Sequence, residues 1–143
     1  YLGGIEPRLG EYGGFHLLTG TAGGEVALLS GSVRTLAPGI HGLSNAPAGV
    51  TWPKVDVASV ALRGALETRD AATMIEELLR VLRKAPANGD PTRDLFIAGE
   101  RYGTRASTVV LVEERTIHFV EQNFGPGGAV LGDRNDLRFA RMS

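Results

Sequence analysis

The spacing of apolar positions changes twice along the chain, from period two to helical and back. Gly14 to Gly20 (Gly-Phe-His-Leu-Leu-Thr-Gly) and Glu25 to Ser30 (Glu-Val-Ala-Leu-Leu-Ser) are short apolar runs joined by Thr21-Ala22-Gly23-Gly24. A Gly pair supplies the positive φ that tight hairpin turns need, so the two runs predict an antiparallel strand pair. Residues 36–53, rich in Gly, Pro, Ser and Asn, predict an ordered loop leading into a helix. Pro53 suits a helix start, where its missing N–H is not needed. Val55, Ala58, Leu62, Ala65 and Leu66 then recur at helical spacing to about residue 68. Asp70 is placed to cap a second helix, whose stripe is Met74, Ile75, Leu78, Val81 and Leu82. Arg80, Arg83 and Lys84 fall in its last turn, where cations suit the helix dipole, and Pro86 stops it.

After a polar loop at Ala87 to Arg93, Leu95-Phe96-Ile97 reads as a short buried strand or turn. Period two returns in Thr104 to Val112 and Thr116 to Asn123, β-branched and aromatic runs joined by Glu113-Glu114-Arg115 as a second hairpin. Val109 and Leu111 point one way, Val110 and Val112 the other. Both faces are apolar, so this sheet is expected to be covered on both sides. The helices cover one face, and a second sheet or sequence outside this chain covers the other. The tail from Gly125 is Gly-rich, then polar, and predicts an edge strand at Asp136 to Arg141. No repeat or low-complexity tract is present. The pattern therefore predicts an α/β layered sandwich, with antiparallel strands within 14–30 and 104–124 and a helix pair at about 54–85.

Composition narrows what such a fold can do. A chain of 143 residues has room for one core, and 43% hydrophobic with 22% charged residues is ordinary for a globular protein. No stretch approaches the roughly 20 apolar residues of a spanning helix. Fifteen basic and sixteen acidic side chains leave a formal charge of −1, a balance that disfavours nucleic acid and anionic membranes as partners. Cysteine is absent, which removes disulfides, thiolate metal sites and a cysteine nucleophile from within this chain. The first residues, Tyr1-Leu2-Gly3-Gly4-Ile5, show neither an initiator Met nor a signal pattern, so the chain is expected to begin inside a longer protein.

Few residues are arranged for chemistry. His16, His41 and His118 are too far apart for a local metal motif, so no metal site is expected from them. His41 stands out because it lies in the flexible run Gly39-Ile40-His41-Gly42-Leu43-Ser44-Asn45. The Asn45 amide could donate to a carbonyl oxygen that develops charge, or simply close a turn before Pro47. In Tyr102-Gly103-Thr104-Arg105-Ala106-Ser107-Thr108, Arg105 could clamp an anion bidentately or pair with Glu100 or Glu113. Ser107 lacks the Gly-x-Ser-x-Gly elbow of a serine nucleophile. Trp52, before Pro53 and Lys54, could form a ligand-facing corner or staple the start of the helix. The Gly-rich turn at 21–24 lacks the Lys and the following helix of a phosphate loop.

Three runs in fixed order carry a resemblance. His41-Gly42-Leu43-Ser44-Asn45-Ala46, Trp52-Pro53-Lys54-Val55 and Tyr102-Gly103-Thr104-Arg105-Ala106-Ser107-Thr108-Val109 resemble the NRDE family, also called the transport and Golgi organisation family. Tyr12-Gly13-Gly14-Phe15-His16-Leu17-Leu18 is similar to its Tyr-x-Gly-Phe-Asn-Leu segment, with His for the usual Asn, and Phe119-Val120-Glu121-Gln122-Asn123-Phe124 is similar to a later strand. The Met-Cys start and Asn-Arg-Asp-Glu signature of that family have no counterpart here, and Asp133-Arg134-Asn135-Asp136 is not that signature. The resemblance thus implies that residues 1–143 are a single domain, the C-terminal portion of a longer family domain. The family is considered similar to N-terminal-nucleophile hydrolases, which implies an αββα sandwich and attack on an amide by a Cys exposed after loss of Met. On that likeness Asn45 completes the oxyanion hole and Arg105 orients the nucleophile, with His41, Trp52 and Tyr102 as ligand-binding candidates. The expectation is a cytoplasmic, hydrolase-like protein acting on an amide C–N bond of a small-molecule or amphipathic ligand. Its nucleophile lies outside this chain, which alone is then inactive. The alternative is a noncatalytic carrier of haem or another amphipathic ligand, with His16 or His41 on the iron; a third reading is a purely structural role. Haem is the one cofactor this brings into view, and no oligomeric state follows.

Overall fold

The computed structural model describes residues 2–21, 23–47, 50–68, 70–84 and 89–141. It is a mixed α/β arrangement of two three-stranded antiparallel sheets and three helices. A short helix α1 (Leu2–Ile5) runs into a 3₁₀ turn at Glu6–Glu11. Strands β1 (Leu17–Gly20), β2 (Val26–Ser30) and β3 (Ser32–Leu36) form the first sheet in the order β1-β2-β3, with Leu17 opposite Leu29 and Leu28 opposite Arg34. Leu28 and Leu29 point to opposite faces and both are fully buried, so the central strand anchors this sheet on both sides. The predicted hairpin is therefore present, and β3 adds a strand that the pattern did not show. Gly31, with φ of +77°, makes the reversal between Ser30 and Ser32.

The helix pair follows the predicted spacing closely. Helix α2 (Pro53–Ala65) begins at its Pro and stops three residues short of the expected end, where Leu66 N–H still donates to Leu62. Helix α3 (Ala71–Leu82) is capped as predicted. The Asp70 carboxylate accepts from Thr73 N–H at 2.7 Å and from the Thr73 hydroxyl at 2.5 Å. The hydroxyl first and the N–H second hold the Asp70 carboxyl below its ordinary range.

Strands β4 (Ala106–Val112), β5 (Thr116–Phe124) and β6 (Val130–Ala140) form the second sheet in the order β4-β5-β6. Its core joins Ile75 of α3 to Val109 and Val120, with Leu78, Leu79, Leu82 and Leu111 packed around them. Leu95-Phe96-Ile97 is not a strand but a buried turn region, in which Phe96 meets Phe124 edge-on at 4.8 Å. Strand β6 is longer than predicted and carries an irregularity opposite Glu121 to Asn123.

The expectation of cover on both faces holds for one face only among the described residues. The α3 side is packed, whereas Val110, Val112, Leu137 and Phe139 on the opposite face stay about half exposed. Val112 alone lies beside Leu18 and Val26 of the first sheet, around a small cavity of about 350 Å³.

The cap gives a pH-dependent prediction. A carboxyl whose folded pKa is depressed contributes stability that is present above its unfolded pKa and lost as pH falls through the folded value. Asp70→Asn preserves a neutral cap, so its Tm should fall below wild type at neutral pH and converge on it in acid. Asp70→Ala should lower Tm at neutral pH by more. Thermal unfolding followed by circular dichroism across the acid range checks both.

Candidate functional site

The two Gly-rich motifs become two pinned loops. In the first, His16 sits just before β1 and bridges two partners. Its Nε2–H donates to the Ser44 carbonyl at 3.0 Å while Nδ1 accepts from the Ser30 hydroxyl at 2.8 Å. This ties residue 44, and hence the backbone at Asn45, to the end of β2. Gly42 completes the attachment: a Cβ there would lie 2.1 Å from Val55 Cγ1, so only glycine lets the loop lie against the first turn of α2. His41 closes the loop on itself, donating from Nε2 to the Ala37 carbonyl at 2.7 Å.

The start of α2 then connects to the second loop. Lys54 N–H donates to Thr92 O at 3.1 Å, and its ammonium sits 4.7 Å over the Trp52 ring. Trp52 precedes the helix without a side-chain cap, so it acts as a half-buried corner at the helix start. Thr92 is fixed by Asp90, whose Oδ1 accepts its N–H at 2.8 Å and its hydroxyl at 2.6 Å. The hydroxyl contact leads in holding Asp90 below the ordinary carboxylate range.

Thr104 forms a two-way clamp. Its N–H donates to Ile97 O, and its hydroxyl accepts from Ile97 N–H, both at 2.9 Å. Gly99 and Gly103 allow the strands of this loop to cross closely; a Cβ on Gly99 would meet Tyr102 O at 2.2 Å. Arg105 O accepts from Phe124 N–H at 2.8 Å, which fixes its backbone at the mouth of β4.

Against this fixed backbone the candidate side chains stand apart. Asn45 and Arg105 are exposed, and neither side chain makes a hydrogen bond or ion pair among the described residues. Arg105 therefore pairs with neither Glu100 nor Glu113. Tyr102 is 70% exposed. The Asn45 loop lies against α2, whose start bonds to Thr92, and no hydrogen bond joins Asn45 to Arg105 directly. The residue that sequence reasoning undervalued is His16. Its signal was present, as the His that replaces Asn next to a strand start, but its partners lie 14 and 28 residues away. His118 is buried on β5 with Nδ1 unpartnered, and no cluster of metal-ligating side chains occurs among the described residues. No described helix is long and apolar enough to cross a membrane.

Both loops fall inside one family match, which the profile of Transport and Golgi organisation 2 makes over residues 1–126. The chain belongs to this family. The match takes in the His41 to Ala46, Trp52 to Val55 and Tyr102 to Val109 runs and ends in the turn before β6, so family membership covers every element that positions the two loops. No curated protein sequence matches the chain.

The Thr104 clamp yields a test of local structure. Thr104→Val keeps the shape but leaves Ile97 N–H without its acceptor, and should destabilise by about 1–3 kcal/mol in denaturant titration. Thr104→Ser should retain most of the stability.

Proposed function

We propose that this chain supplies the oxyanion-stabilising and orienting part of an amide-hydrolysing site. In this reading it is the C-terminal portion of a longer family domain with the layered architecture of N-terminal-nucleophile hydrolases. The observation that carries the reading is the contrast at Asn45 and Arg105: backbone pinned beside Asn45 by the His16–Ser44 bond and the packing of Gly42, and at Arg105 by Phe124 N–H, and side chains committed to nothing else. Donors carried on such backbones and left free of other partners are available to charge that develops in the transition state. As a nucleophile attacks the amide carbon, the Asn45 Nδ2–H donates to the carbonyl oxygen that becomes negative. Arg105 holds the nucleophile or the substrate in line through its planar guanidinium.

The nucleophile itself lies outside this chain. There is no cysteine, and Ser107 is buried without a hydrogen bond to any base among the described residues. The haem-carrier alternative draws less support, because both ring nitrogens of His16 are engaged and His41 uses Nε2 on Ala37.

Convergence of the two side chains is the first requirement. The absence of native cysteine makes Asn45→Cys combined with Arg105→Cys a clean double-thiol variant. Intramolecular cross-linking by a bismaleimide spanning about 12 Å, the separation one bound substrate can bridge by hydrogen bonds at both ends, is the expected result. Failure to cross-link in the folded protein would remove the site. In a longer chain carrying an N-terminal Cys, Asn45→Ala should lower kcat on N-acyl amides by about 10²–10³-fold. The 143-residue chain alone should show no turnover.

A further inference from the structure

A second cavity-bearing region lies where α2, the last turns of α3 and the Ser107 end of the β4–β5 face meet, beside the backbone of Arg105. Its volume is about 760 Å³. That lies within the roughly 300–1,000 Å³ range of small-molecule sites. None of Asn45, Arg105, His41, Trp52 or Tyr102 lines it.

The walls divide by chemistry. Val57 and Val60 of α2, Leu79 of α3 and Phe124 of β5 form an apolar trough. Val57 and Val60 are 48% and 70% exposed, large apolar side chains that face the cavity rather than the core. At the α3 end stand Arg80, Arg83 and Lys84, none of which pairs with a carboxylate among the described residues. Arg83 lies instead 5.7 Å over the Phe124 ring. Arg134, the fourth cation, is neutralised by Glu76 and Asp136. Cations at a helix C-terminus suit the dipole, but the dipole amounts to only about half a negative charge. Three unpaired cations exceed that.

The floor adds neutral hydrogen-bonding groups that open onto the cavity. Ser107 is 6% exposed, lines the cavity, and its hydroxyl makes no hydrogen bond among the described residues. Its cross-strand neighbour Gln122 also lines the cavity and donates only to Asn123 O, at 3.2 Å.

We propose that this groove binds a single-chain amphiphile with an anionic head. The carboxylate or phosphate is held by Arg80, Arg83 and Lys84, and the alkyl chain lies along Val57, Val60, Leu79 and Phe124. Ser107 and Gln122 supply neutral hydrogen bonds at the floor. Ser107 and Phe124 adjoin Arg105, but none of the residues assigned to the amide-hydrolysis reading lines this groove, so the two readings are tested separately.

The test is displacement of 11-(dansylamino)undecanoic acid, followed by fluorescence, on the 143-residue protein. Palmitate and hexadecyl phosphate should displace the probe about tenfold or more tightly than hexadecanol or hexadecyltrimethylammonium. Their relative order then identifies a carboxylate or a phosphate head. Added salt should weaken the two anions and leave the alcohol unchanged, a readout that needs no variant. Arg83→Glu with Lys84→Glu should weaken the anions about tenfold with unchanged far-ultraviolet circular dichroism. Val60→Asp, at an exposed position, should weaken all four. Equal affinity for palmitate and hexadecanol, indifference to salt and charge reversal, or no displacement at all would overturn the proposal.

Discussion

Ile75, seated on Val109 and Val120, is the contact on which the rest of this structure depends. It belongs to the apolar stripe of α3, which lies on one face of the β4–β5 pair with Leu78, Leu79 and Leu82 beside it. Burying each such side chain is worth about 1.5–3 kcal/mol, so losing the face would cost an amount comparable to the whole net stability of a domain, about 5–15 kcal/mol. Helix α2 is held against α3, and its first turn in turn meets the Asn45 loop through Gly42 against Val55 and the 90–92 turn through Lys54 against Thr92, while the Arg105 loop is tied to β5 through Phe124. The Asn45 loop thus rests on a packing contact that none of its own residues makes, while the Arg105 run reaches that contact at Val109.

That dependence explains what the sequence could and could not reveal. Helix α3 was legible because local signals agree: the Asp70 cap, the apolar period and the basic last turn all specify one element. The β4–β5 hairpin was legible for the same reason, through runs of β-branched residues. Strand β3 was not, because Ser32 to Thr35 are exposed and the strand is defined by its ladder to β2 rather than by alternating burial. Strand β6 was read only from residue 136 because all eleven of its residues are exposed, which erases the two-residue period. The apolar alternation at 109–112 correctly marked two apolar faces but carried no information about what covers each.

The candidate site divides along the same line. Asn45 and Arg105 were visible as polar residues set in Gly-rich motifs, and the structure adds that their backbones are fixed while their side chains are free. Thr104, within the same motif as Arg105, has a structural duty that explains part of that motif without reference to function. The tie from His16 and the cationic groove were invisible in one dimension, since the groove draws its lining from α2, α3, β4, β5 and β6. Its cations suit the α3 dipole by position, but three of them exceed what that dipole alone calls for.

Native-state hydrogen exchange measures the central dependence most directly. If the α3 face on β4–β5 organises the molecule, the amides of α3 and β5 share the highest protection and lose it in one cooperative step, while β6 and β3 exchange earlier through local opening. An α3 that exchanges well before β5, leaving the sheet and the Thr104 clamp protected, would contradict the account.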